Sequence, residues 1–154
     1  MNTGGSSLSV SPDGKFLAVT ERIPNNIDTF AINPNGTLGP IVINESAAVG
    51  LFAASFAPDG YLIAAATGAV ATALDGTISS YAVLPNGTIS AVSLAVPTLG
   101  AANCWTAITP NGKWVYVSNF ISATISGFAI GNGGVLTPIA DTVVATNPPG
   151  SLNL

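Results

Sequence analysis

Glu21-Arg22 sets a carboxylate beside a guanidinium in a chain that has only three cations (Lys15, Arg22, Lys113), seven carboxylates and no histidine. A carboxylate can take a proton or orient water, and a guanidinium can hold a carbonyl or anionic oxygen. We therefore expect Glu21 and Arg22 to form the catalytic pair of any site here. Thr67, Asn103 and Asn119 are the expected substrate-binding residues. Counting along the repeats described below sets Thr67 and Asn119 level with Glu21, and Asn103 falls in a connection on the same rim, as does Glu45. Other chemistries lack their parts. Without histidine there is no Ser-His-Asp triad. Cys104, the single cysteine, has no activating base and reads as a core thiol. Asp13 and Asp59 are isolated carboxylates in turn sequences, not the dense oxygen cluster a metal ion needs. Trp105 and Trp114 could stack on a sugar, but their strand positions favour packing between sheets. No motif calls for a cofactor.

What must position these residues is a threefold repeat. Ser11-Pro12-Asp13-Gly14, Ala57-Pro58-Asp59-Gly60 and Thr109-Pro110-Asn111-Gly112 mark one point in each unit. Pro34-Asn35-Gly36-Thr37, Pro85-Asn86-Gly87-Thr88 and Asn132-Gly133-Gly134-Val135 mark another. Between them run Ile27-Asp28-Thr29-Phe30, Ile78-Ser79-Ser80-Tyr81 and Ile125-Ser126-Gly127-Phe128. The Ile-to-Gly spacing is nine in every unit, whereas the spacing from the first marker glycine to that Ile is 13, 18 and 13. The middle unit thus carries five extra residues between Thr67 and Ile78, and insertions on one face of a repeat array often mark its binding face.

Asp-Gly and Asn-Gly between apolar runs signal hairpins, here of the type I′ kind. Each unit reads as four strands, and Phe16-Leu17-Ala18-Val19 and Trp114-Val115-Tyr116-Val117 are apolar on both faces, as in a sheet buried on both sides. Four-stranded antiparallel units of this length describe propeller blades. The expected fold is all-β: one partial β-propeller domain over 1–154, with blades at about 6–46, 50–96 and 102–146 and the first strand of a fourth at 150–154. The repeat alignment argues against a helix in the alanine-rich segment 61–74. Closed propellers have about 4–8 blades. Three leave two apolar sheet faces in water, so further blades or a homo-oligomer should cover them.

Composition narrows the partners. Residues are 48% hydrophobic and only 6% charged, with net charge −4. Three cations cannot track a phosphate backbone, so we expect no nucleic acid. No apolar run reaches the ~18 residues of a membrane span. The sparse charge suits an exported protein, although no signal peptide is visible.

At Ser11-Pro12-Asp13-Gly14-Lys15-Phe16-Leu17-Ala18-Val19-Thr20-Glu21-Arg22 and Ala102-Asn103-Cys104-Trp105-Thr106 the chain resembles the lactonase family of seven-bladed β-propellers, whose members are 6-phosphogluconolactonase-like or carboxymuconate-cyclase-like. The likeness covers almost the whole chain, as three consecutive blades. It implies the propeller fold, and a small lactone or sugar acid as substrate for ring opening or closure. The alternatives are a non-catalytic binding or scaffold propeller, and an inactive truncated fragment.

Overall fold

The computed structural model describes residues 4–70 and 72–146. Three four-stranded antiparallel sheets follow one another, each ordered as in the chain. The first contains β1 (Gly5–Val10), β2 (Phe16–Glu21), β3 (Asn26–Ile32) and β4 (Leu38–Glu45). The second contains β5 (Leu51–Phe56), β6 (Leu62–Ala66), β7 (Thr77–Val83) and β8 (Ile89–Pro97). The third contains β9 (Asn103–Ile108), β10 (Trp114–Asn119), β11 (Thr124–Ile130) and β12 (Leu136–Thr146), with a 3₁₀ turn at Asn132–Gly134. Among the described residues there is no α-helix; segment 61–74 is β6 and the loop after it. This is a partial propeller, as the repeats predict. The expected strand at 150–154 lies outside the described residues.

The hairpins differ from the type I′ turns expected. In the first, Gly14 N–H donates to Ser11 O (2.8 Å), and Gly14 has a φ of +71° while Asp13 does not share the left-handed region. The acid acts through its side chain instead. Asp13 Oδ1 accepts from Ser11 Oγ (2.7 Å) and from Lys15 N–H (3.1 Å), and these bonds hold its carboxyl down at about 2. Asn111 repeats the pattern with Thr109 and Lys113. These are turn-forming side chains, as an Asx turn requires.

The second unit's hairpin is one residue shorter. Ala57 N–H reaches Tyr61 O, whereas Ser11 reaches Phe16 and Thr109 reaches Trp114. Tyr61 therefore takes the place of Phe16 and Trp114, and all of β6 slips by one position relative to the sequence count. Glu21 pairs with Asn26 and Asn119 with Thr124, but in the second sheet it is Ala66 that pairs with Thr77. Ala66, not Thr67, is level with Glu21 and Asn119. The following loop, 67–76, is six residues longer than its counterparts 22–25 and 120–123, not five.

The cores lie between sheets. Ala18, Ile27, Leu51, Ala64, Ala66 and Tyr81 fill the first seam. Ile63, Ala65, Ile78, Val115, Val117 and Phe128 fill the second. Side-chain bonds cross both seams and end on matching groups of the next sheet. Thr29 Oγ1 donates to Gly87 O, and Ser80 Oγ donates to Gly134 O (2.6 Å). Asn44 Oδ1 accepts Ile89 N–H (3.0 Å), and Ser93 Oγ accepts Leu136 N–H (3.0 Å). The first strands stand side by side, with Ser7 Oγ and Ser9 Oγ accepting the Ala54 and Phe56 amides and Ser55 Oγ bonded to Thr106 Oγ1. β1, β5 and β9 are thus the inner strands of successive blades.

The two terminal sheet faces have no neighbour among the described residues. On the first sheet, Leu8, Val19, Asp28 and Ile43 form one row and Val10, Leu17, Phe30 and Ile41 the next. Leu8 is 68% and Ile43 60% exposed. On the third sheet, Trp114 and Val144 are partly open, so Trp114 is not sealed between sheets as expected, whereas Trp105, 45% exposed, does meet Phe52 of the second sheet.

Candidate functional site

Antiparallel pairing sets the starts of β1, β5 and β9 and the ends of β2, β6 and β10 on one rim. There each inner strand breaks register. The pairing skips Ser6 between Gly5 and Ser7, Phe52 between Leu51 and Ala53, and Cys104-Trp105 between Asn103 and Thr106. A bulge re-aims its extra side chain and is common beside functional sites. Three aligned bulges turn Ser6, Phe52 and Cys104-Trp105 out of the regular pleat at the same level.

Arg22 joins them. Its guanidinium carbon lies 5.9 Å from the centroid of the Phe52 ring, within cation–π range. Phe52 meets Trp105 edge-on, with centroids 5.4 Å apart and planes at 75°. Arg22, Phe52 and Trp105 therefore run across three consecutive blades. A concavity of about 480 Å³ opens beside them, lined by Arg22, Phe52, Ser6 and Ile23. Burial pushes the Cys104 thiol up, and the Arg22 charge only partly opposes this. This disfavours the thiolate, which is the nucleophilic form. A second concavity, of about 380 Å³, lies at the opposite rim beside Asp13 and Asp59. It contains no cation, and Asp13 is already held by Ser11 and Lys15.

The expected site residues separate into two groups. Arg22 is exposed on the rim, and Glu21 is half-buried. They form no ion pair with each other; the ion pair among the described residues is Lys15–Asp13. Glu21 lies on the sheet face of Asn26, Val19 and Asp28, opposite to Ala18 and Thr20, which face the second sheet. Its charge, after desolvation, helps push the Asp28 carboxyl up. Glu45 pairs with Asn26 in the same row.

Thr67, Asn103 and Asn119 are buried. Thr67 Oγ1 donates to Gly50 O (3.2 Å). Asn103 Nδ2 donates to Thr98 Oγ1 (2.9 Å), and its amide fills the space over Gly76. Asn119 Nδ2 donates to Thr124 Oγ1 (2.9 Å) and Ser126 Oγ (2.8 Å), and its amide fills the space over Gly100. Ser126 Oγ then donates to Thr98 O (2.6 Å). These amides bind the seam between the second and third sheets. The long loop 67–76 is organised by Asp75, whose Oδ2 accepts the Ala69 and Val70 amides (3.0 and 3.2 Å). Among the described residues no cluster of His, Cys, Asp or Glu could hold a metal ion, and no helix is long and apolar enough to cross a membrane.

Phe52 was not singled out from the sequence. Its signal there was an aromatic at the start of an inner strand in the same slot as Cys104, which becomes readable once the bulges are known.

The chain is similar to several solved structures. It matches a protein assigned by inference as a 6-phosphogluconolactonase from Bacteroides uniformis with TM-score 0.78 and 25% identity, covering 95% of this chain and 42% of that one. A similar assignment from Bacteroides fragilis gives TM-score 0.72 and 25% identity over 91% and 38%. The periplasmic gluconolactonase of Pseudomonas aeruginosa gives TM-score 0.73 and 18% identity over 96% and 46%, a likeness of fold. The chain thus spans less than half the length of these structures. No curated protein matches it in sequence. The profile of the family described as "Lactonase, 7-bladed beta-propeller" matches residues 57–153, more than half of the chain. This chain belongs to the lactonase family of seven-bladed β-propellers.

Proposed function

We propose that these three blades supply part of the substrate-facing rim of a complete propeller ring that opens a small lactone or sugar-acid derivative. The observation that carries this reading is the alignment of three inner-strand bulges on one rim, where the Arg22 guanidinium lies over the Phe52 ring and that ring meets Trp105 edge-on. The carbonyl oxygen of a lactone gains negative charge as water attacks, and the ring oxygen gains it as the C–O bond breaks. A fixed guanidinium stabilises that charge. The apolar faces of Phe52 and Trp105 suit the C–H face of a sugar ring. Glu21, one residue before Arg22 at the same strand end but on the sheet face turned away from Phe52, is the carboxylate that would orient or deprotonate water at the rim. Thr67, Asn103 and Asn119 act on substrate through the rim they hold in place. The membership of the chain in the lactonase family supports the same substrate class.

The test is hydrolysis of a sugar δ-lactone by the complete ring, followed by proton release. Arg22→Met should lower kcat/KM by about 10²–10³-fold, the scale of a lost oxyanion donor. Glu21→Gln should lower kcat by roughly 10²-fold or more. Turnover unchanged in both variants would remove this rim from the chemistry. The second reading is a binding propeller, favoured by the commitment of Thr67, Asn103 and Asn119 to the protein's own seams. It predicts no turnover, but sugar-acid binding that weakens with Arg22→Met.

A further inference from the structure

Four Asn-Gly steps sit in turns: Asn35-Gly36, Asn86-Gly87, Asn111-Gly112 and Asn132-Gly133. All four asparagines are exposed, so access to water does not tell them apart. An asparagine followed by glycine can close on itself, because glycine has no side chain to shield its amide nitrogen. That nitrogen loses its proton and attacks the asparagine Cγ. The new N–Cγ bond makes a five-membered succinimide, and ammonia leaves with the electron pair of the broken C–N bond. Water then opens either carbonyl, giving aspartate or its β-linked isomer. Two freedoms are needed. The glycine N–H must be free to ionise, and the asparagine side chain must be free to bring its carbon onto that nitrogen.

Three of the steps lack both freedoms. Gly36 N–H donates to Asn33 O, Gly87 N–H to Leu84 O and Gly112 N–H to Thr109 O, each at 2.8 Å. Asn35 Oδ1 and Asn86 Oδ1 each accept the amide and the hydroxyl of the threonine two residues on. Asn111 Oδ1 accepts the Thr109 hydroxyl and the Lys113 amide.

Asn132-Gly133 lies one position earlier in its turn. The bond that closes this turn runs from Gly134 N–H to Gly131 O (3.0 Å), so Asn132 and Gly133 are its two corner residues. In the other three turns asparagine is the second corner and glycine supplies the closing N–H. A corner N–H points out of a turn. Among the described residues nothing accepts the Gly133 N–H, and nothing binds the Asn132 side chain.

We propose that Asn132 is this chain's site of spontaneous deamidation, through a succinimide formed with Gly133, and that the β-linked product loosens the seam between the second and third sheets. The turn is anchored two residues on, where Gly134 O accepts Ser80 Oγ (2.6 Å) and Gly134 lies against the Tyr61 ring. The β-linked product lengthens the backbone by one carbon just before that anchor. The reaction uses neither Arg22 nor Glu21, so it stands or falls apart from the lactone reading.

The test holds the full folded chain in mildly alkaline buffer and follows the four asparagines by peptide mapping and mass spectrometry, with the β-linked product counted by enzymatic methylation. Loss at Asn132 should outpace each of the other three by about tenfold or more, since there several hydrogen bonds must first break. In urea, where no turn persists, the four rates should converge. The aged chain should melt lower than the fresh one, and Asn132→Gln, which cannot form the five-membered ring, should keep its melt on ageing. A lead at Asn35, Asn86 or Asn111, equal rates in the folded chain, or the same lead for Asn132 in urea overturns the proposal. So does an unchanged melt after Asn132 has been fully converted.

Discussion

Replacing Ser80 with alanine should separate the second and third sheets more than its size suggests. Ser80 is fully buried, and alanine removes one oxygen without changing the strand. That oxygen donates to Gly134 O at 2.6 Å and accepts Ser93 N–H at 3.2 Å. The Gly134 carbonyl would be left in the seam without this donor, at a cost of about 1–3 kcal/mol. The Ser93 amide is only part-buried, so water can replace much of its loss. The sum is roughly 2–3 kcal/mol. For a chain of this length about 2–4 °C of melting temperature accompanies each kcal/mol, so the expected drop is about 4–12 °C. The assay is a thermal melt followed by circular dichroism, paired with urea unfolding. The urea midpoint should fall with no change in m, because the surface exposed on unfolding is the same. Ser90→Ala, at an exposed position of β8, is the control and should shift the melt by less than about 0.5 kcal/mol. A melt of Ser80→Ala within that control range would refute the claim that hydroxyl-to-turn bonds fasten the blades.

Two other substitutions test neighbouring statements. Asp28 is 4% exposed, and its Oδ1 is buried without a partner. Burial, then Glu21, pushes its carboxyl up from 3.8, so the folded chain holds this proton to higher pH than the unfolded chain does. Stability is then lost as pH rises above 3.8. Asp28→Asn should raise the melting temperature at neutral pH, with the gain vanishing below that value; a gain that is the same at both ends of the titration would contradict the assignment. Gly100→Ala would drive a methyl into the Asn119 amide, which its two hydroxyl partners hold in place. Overpacking of this kind costs about 1–3 kcal/mol, read as a lower urea midpoint, and Asn119→Ser in the same chain should recover part of it.

Much of the fold was legible because turn chemistry and apolar runs recur in register. Pro-Asp-Gly, Pro-Asn-Gly and the Ile-led strand between them fix four strands per unit without knowledge of long-range contacts. One residue was miscounted. The second hairpin, Ala57 to Tyr61, closes one residue early, and nothing local in Asp-Gly-Tyr says which hydrogen bond will close the loop. That shift placed Thr67 where Ala66 belongs. The site was less legible than the fold. Asn103 and Asn119 have the residue type of ligand-binding side chains. Their actual role follows from Gly76 and Gly100 in neighbouring connections, whose missing side chains leave room for the two amides. Phe52 and Trp105 reach the rim through bulges, and a bulge is a mismatch between two strands that neither strand records alone. Arg22 was visible because charge is scarce: a lone cation at a strand end stands out in a chain that is only 6% charged.

The central claim is that the three sheets are consecutive sectors, with, among the described residues, only the middle one covered on both faces. Backbone hydrogen exchange across the whole chain tests it most directly. β6 and β7, whose residues Ile63, Ala64, Ala65 and Ile78 are sealed from both sides, should exchange slowest, and the matching strands β2, β3, β10 and β11 markedly faster. Uniform protection of all three sheets, or slowest exchange in the first or third, would contradict it.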